Sequence, residues 1–149
     1  MKRIFTLLLI VFLSTVANAQ WTLCNKPAGV SPFSLMIHND TIYMGTLSNG
    51  IYRSTDGGTN WTQINNGITS LQIWAISQVG AAVFASSTSG NVYKSTDGGD
   101  NWTLSNTGIS STAIVKKFVS FNSKIFVATS NAGILISNDN GSSWAQHNT

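Results

Sequence analysis

The residues best equipped for chemistry in this chain arrive in octets. Ser54-Thr55-Asp56-Gly57-Gly58-Thr59-Asn60-Trp61 recurs as Ser95-Thr96-Asp97-Gly98-Gly99-Asp100-Asn101-Trp102, and again as Ser137-Asn138-Asp139-Asn140-Gly141-Ser142-Ser143-Trp144. A carboxylate placed this way could ligate a cation, move a proton or tie down a turn. Calcium asks for six to eight oxygen ligands, and each octet offers one Asp, with Asp100 the only addition. A turn needs only what is present. The Asp side chain accepts nearby backbone amides as in an Asx-turn, and the Ser hydroxyl does the same more weakly. Glycine permits positive φ where the chain reverses, and tryptophan opens the next strand and buries a large ring against the neighbouring sheet. Ser54, Asp56, Gly58, Trp61, Ser95, Asp97, Gly99, Trp102, Ser137, Asp139, Gly141 and Trp144 are therefore expected to build structure, with no catalytic, cofactor-binding or metal-binding residue among them.

Outside the octets little is left for catalysis. The sequence has no Glu, and Asp40 is its one other carboxylate. A glycosidase-type carboxylate pair is therefore missing. His38 beside Asp40 has the composition of a base with an orienting acid, but Asn39-Asp40 also reads as a bend. His147 lies far from His38 in sequence, and neither has metal-ligand spacing. Cys24 is the only cysteine, so no intrachain disulfide or Cys-based metal site can form. No cofactor is expected.

The octets must be positioned by something repetitive, because their tryptophans, with Trp21 ending a further copy, recur every 40–42 residues. Before each serine stand Ile51-Tyr52-Arg53, Val92-Tyr93-Lys94 and Ile134-Leu135-Ile136. Earlier come Ile42-Tyr43-Met44-Gly45, Ala82-Val83-Phe84-Ala85 and Ile125-Phe126-Val127-Ala128. These β-branched and aromatic runs, bounded by Gly, Asn and Ser, read as short strands. In the second unit they fall near 71–77, 82–87, 92–95 and 102–105. Four strands in about 40 residues, repeated, predict propeller blades. The expected fold is all-β: a β-propeller fragment of about three four-stranded blades, with repeats at about 21–60, 61–101 and 102–143.

The three octets resemble the Asp-box (BNR) repeats of sialidases and of photosystem II assembly factor-like propellers, and the resemblance covers essentially the whole chain after residue 19. It implies a propeller with the boxes at blade edges, away from any active site. Sialidases use three arginines to clamp a substrate carboxylate, a Tyr–Glu nucleophile pair and an Asp acid. After residue 19 this chain has one arginine, Arg53, adjoining an Asp box, and no Glu. The resemblance thus favours a non-catalytic binding or scaffold module. The alternative is a fragment of a sialidase-like glycoside hydrolase whose catalytic residues lie outside the chain.

Residues 1–19 read as a signal peptide. Lys2 and Arg3 precede an apolar run from Ile4 to Leu13, and Ala17-Asn18-Ala19 closes it as a cleavage site. The run is too short to span a membrane. Export by a bacterial-type Sec route is expected, to a periplasmic, extracellular or surface location. The rest of the chain carries six basic and five acidic residues, which gives no electrostatic case for nucleic acid. The partner is expected to be a protein or carbohydrate, met by loops at 25–33, 65–70, 106–112 and 86–90. Trp74, the tryptophan out of phase with the repeat, could stack on a sugar or peptide or fill the core. Lys116 and Lys117 interrupt the apolar pattern of their strand, as a solvated edge or for an acidic partner. Trp144 starts what reads as a fourth unit. Three units make an open arc, expected to be part of a larger ring, with a ring shared by several copies as the alternative, and open blade edges favour self-association.

Overall fold

The structure, a computed structural model, describes residues 25–147. The segment 1–19 expected to be a signal peptide, Trp21 and Cys24 lie outside them. The described residues form twelve strands and no helix: β1 (Pro32–His38), β2 (Thr41–Thr46), β3 (Ile51–Ser54), β4 (Thr62–Gln63), β5 (Ile73–Val79), β6 (Ala82–Ser87), β7 (Val92–Ser95), β8 (Thr103–Leu104), β9 (Val115–Phe121), β10 (Lys124–Thr129), β11 (Ile134–Ser137) and β12 (Ala145–Gln146). They make three antiparallel meanders, β1–β4, β5–β8 and β9–β12.

Each sheet begins on an apolar first strand and ends on the two-residue strand that follows an octet. The sheets therefore run out of phase with the tryptophan-to-tryptophan units. Trp144 opens no fourth sheet: Ala145 and Gln146 pair with Ile136 and Leu135 and complete the third. The reason is local, since a tight box turn returns the chain onto the strand just left, and the next blade is a longer connection away.

The sheets pack side by side on their first strands, with β5 lying between β1 and β9. Two cores result. Tyr43, Ile51 and Ile64, in or beside the first sheet, meet Ile73, Ile76, Val83, Ala85, Tyr93 and Trp102, in or beside the second. Ala75, Val79, Phe84 and Val92 meet Val115, Phe118, Ile125, Val127, Leu135 and Trp144 of the third. Strand alternation supplies both: Phe84 faces the third sheet while Val83 and Ala85 face the first. The loops between sheets depend on two glycines. Gly67 and Gly108 have φ of 89° and 86°, and a Cβ on either would run into the backbone of Trp102 or Trp144. Only glycine fits both demands.

Candidate functional site

The octets fold into three nearly identical turns. In the first, Ser54 Oγ accepts the Gly58 amide at 2.9 Å and donates to Asp56 at 2.8 Å. The Asp56 carboxylate accepts the Asn60 backbone amide at 2.8 Å and the Asn60 side-chain amide at 2.7 Å. Ser95, Asp97, Gly99 and Asn101 repeat the pattern. So do Ser137, Asp139, Gly141 and Ser143, with a serine hydroxyl in place of the asparagine. Three hydrogen bonds end on each carboxylate and leave it engaged inside its own loop. They hold it at a pKa of about 2, through Asn60 chiefly for Asp56, Asn101 for Asp97 and Ser143 for Asp139. Such a group is a poor proton donor or acceptor near neutrality. The role of Asn60 and Asn101 was not read from the sequence, although both recur at the seventh octet position.

The box tryptophans link neighbouring sheets. The Trp102 indole donates to the Ile64 carbonyl at 2.9 Å and that of Trp144 to the Ser105 carbonyl at 2.8 Å, both rings being buried. Arg53 has a similar office. Its guanidinium donates to the Gly98 carbonyl at 2.9 Å and pairs with Asp100 at 2.8 Å, joining the first sheet to the second box. A substrate clamp would need that guanidinium free. The buried Tyr43 hydroxyl donates to the same Gly98 carbonyl, and burial raises its pKa. His38 and Asp40 stand exposed on either side of the β1–β2 turn, at the box end of the blades. No group of three or more His, Cys, Asp or Glu side chains that could hold a metal occurs among the described residues.

A different cluster forms at the inner edge of the arc. The first strands β1, β5 and β9 each carry a register shift at corresponding places, between Pro32 and Ser34, between Ile73 and Ala75, and opposite the Ala128–Thr129 step. Phe33, Trp74 and Lys116 are the extra residues. Bulges re-aim side chains, and these three meet across the blades. Phe33 packs edge-on against Trp74 with centroids 4.9 Å apart, and the Lys116 ammonium sits 3.2 Å from the Trp74 ring centroid. Phe33 is 45% exposed, while Trp74 and Lys116 are half-buried. The cluster stands at the blade end opposite the boxes, beside the loops between sheets. Of the two roles its sequence allowed, Trp74 takes the core one in part: it is half-buried and packs against the second core.

Three four-stranded meanders joined through their first strands define a β-propeller architecture. The DUF6242 beta propeller domain matches residues 9–106, about two thirds of the chain, and the chain belongs to that family. Among solved structures it is similar to YCF48 from Cyanidioschyzon merolae, with a TM-score of 0.68, 17% identity, and 85% of this chain covering 39% of that one. It is also similar to an ancestral GH74 enzyme, with a TM-score of 0.67, 18% identity and coverage of 86% and 19%. YCF48 bound to D1 peptide aligns with a TM-score of 0.59, 17% identity and coverage of 86% and 44%. The chain spans less than half the length of each, and at these identities the likeness is one of fold. A comparison with curated protein sequences finds no match.

Proposed function

We propose that the chain is an exported, non-catalytic β-propeller module that holds a protein or carbohydrate ligand against Phe33, Trp74 and Lys116. The observation that carries this reading is the coincidence of bulges: three blades place their extra residue at one spot, where two aromatic rings and a cation touch. Aromatic faces take up sugar rings or apolar peptide side chains, and an ammonium on a ring still has N–H donors for a carboxylate. The preferred ligand therefore joins a flat apolar face to a negative charge. The basic, apolar and A-x-A order of residues 1–19 supports export, and no helix among the described residues is long and apolar enough to cross a membrane.

The competing reading, part of a glycoside hydrolase, draws on the likeness to GH74 enzymes. It must take at least one of its two carboxylates from outside this chain, because Asp56, Asp97 and Asp139 are engaged in their own turns, Asp100 is paired with Arg53, and only Asp40 remains. Calorimetric titration with polygalacturonate, neutral xyloglucan and an acidic decapeptide tests the binding reading. Expected is uptake of an acidic ligand that Trp74→Ala abolishes and Lys116→Ala weakens; no uptake, or uptake indifferent to both changes, would sink it. Turnover of a fluorogenic sialoside or xyloglucan oligosaccharide by the chain alone would favour the hydrolase instead.

A further inference from the structure

An asparagine followed by glycine carries its own reaction. The glycine amide nitrogen attacks the asparagine side-chain carbonyl carbon, ammonia leaves, and water opens the resulting cyclic imide to aspartate or isoaspartate. The net change converts an amide and a water into a carboxylic acid and ammonia, with no oxidant or cofactor. The sequence has such steps at Asn49-Gly50, Asn66-Gly67 and Asn140-Gly141. The fold treats their nucleophiles differently.

Gly50 is buried and donates its amide to the Leu71 carbonyl at 2.9 Å. Gly141 is buried and donates to Ser137 Oγ at 2.7 Å. A nitrogen tied up as a donor and shut from water must be released by local opening before it can lose its proton and attack. Gly67 is exposed beside an exposed Asn66, and its amide meets no acceptor among the described residues. The groups on either side close its turn instead. The Asn65 carbonyl accepts the Ile68 amide, and the Asn66 carbonyl accepts the Trp102 amide, both at 2.9 Å.

We propose that Asn66 is a site of spontaneous conversion to aspartate and isoaspartate in the folded protein, and that the product unties the junction between the first and second sheets. The Asn66 side-chain amide donates to Asn101 Oδ1. Asn101 is not free to turn over and meet a carboxylate, because its own Nδ2 is committed to Asp97 at 2.8 Å inside the second box. After conversion an anionic oxygen faces the Asn101 carbonyl oxygen, with the Asp97 carboxylate behind it. Isoaspartate also adds a backbone carbon beside Gly67, which already lies against the Trp102 backbone with no room for a methyl. Both products strike the contacts that seat Trp102, a ring buried in the core of that junction. The next junction has the same geometry without the chemistry. The Trp144 amide donates to the Thr107 carbonyl at 2.8 Å, and Gly108 lies against the Trp144 backbone, but threonine has no amide to cyclise. Of the two junctions, only the first ages by this route.

Peptide mapping by mass spectrometry tests this on the full chain, held in mildly alkaline buffer either folded or in urea. In the folded chain, conversion at Asn66 should run at least about tenfold faster than at Asn49 or Asn140, since only those two wait on local opening. In urea the three steps should proceed at similar rates. Protein isoaspartate methyltransferase should label the aged parent and leave Asn66→Ser unlabelled. An Asn49 or Asn140 that keeps pace with Asn66 in the folded chain would overturn the proposal, and so would an Asn66 that converts only in urea. Asn66→Asp, which carries one product from the start, should melt about 2–5 °C below the parent. A variant that melts with the parent would overturn the untying of the junction.

Discussion

The second and third sheets have the same strands, the same box and nearly the same length, yet they differ in how they are held. All six residues of β6 are buried, whereas the equivalent β10 alternates between buried Ile125 and Val127 and exposed Lys124 and Ala128. The alternation marks one covered face in β10 and two in β6. The difference lies in the neighbours rather than in the strands: a blade of this fold gains its core from the sheets on either side. The same contrast appears between box tryptophans. Trp102 is 4% exposed with its indole N–H tied to the preceding sheet, while Trp61 donates to the Asn25 and Gly58 carbonyls from a half-buried site.

The sharpest way to break this comparison is to truncate the two rings. Trp102→Ala removes a buried indole at a sheet junction and should lower stability by about 3–5 kcal/mol. Trp61→Ala removes the same residue of the same motif from a half-buried site and should cost about 1 kcal/mol. Urea unfolding of the two variants measures the gap. Equal losses would mean that the octet, rather than the junction, sets the value of the tryptophan.

Next in size is the pair Gly108→Ala and Gly57→Ala. Both glycines have positive φ, 86° and 69°. An added methyl at Gly108 meets the Trp144 backbone, while at Gly57 it meets open space. The first should cost about 2–3 kcal/mol, from strain plus collision, and the second about 1 kcal/mol, from strain alone. Thermal melts of both variants separate backbone strain from the junction contact.

These contrasts also show what was legible beforehand. Strand positions and turn chemistry were written locally: the octet holds its own acceptor, donors and positive-φ glycines, so reading it requires no knowledge of the fold. The buried and exposed versions of one motif were not legible, because Trp61 and Trp102 sit in near-identical sequence and differ only in what lies across the junction. Arg53 was placed correctly beside a box, but its partner is the box of the next sheet, 47 residues on. Trp74, Lys116 and the 25–33 loop were each singled out, but their meeting in one cluster was hidden for a related reason. A bulge adds one residue without a sequence mark, and Phe33, Trp74 and Lys116 share no residue type. Only aligned first strands, Pro32-Phe33-Ser34 with Ile73-Trp74-Ala75 and Val115-Lys116-Lys117, bring them to one position.

A smaller effect should come from acid. The box carboxylates have folded pKa values of about 2 against an ordinary 3.8, because each accepts hydrogen bonds within its turn. A lowered folded pKa contributes stability that is present above the unfolded value and lost as pH falls through the folded one. Melting temperature should therefore hold down to about pH 4 and fall between about 4 and 2. In Asp97→Asn, which cannot titrate at this turn, the parent melts higher at neutral pH but its slope with acid is shallower in the variant. An unchanged slope in that variant would show that the second box contributes nothing to acid sensitivity.

The smallest expected effect concerns the ties across the two junctions, where the second sheet is again the reference. Arg53 and Asp100 form an ion pair between the first sheet and the second box, with side chains 25% and 60% exposed. Lys94 reaches the third box without a carboxylate to meet, 2.7 Å from the Asn140 carbonyl. Exposed pairs of this kind contribute about 0.2–1 kcal/mol and weaken with salt. A double-mutant cycle on Arg53→Ala and Asp100→Ala should give a coupling of about 0.5 kcal/mol that shrinks in 1 M salt. Part of the Arg53→Ala loss should survive the salt, because the hydrogen bond to the neutral Gly98 carbonyl is less sensitive to screening. Lys94→Ala should lose a similar small amount with little salt dependence. If both variants respond to salt alike, charge does not distinguish the two junctions.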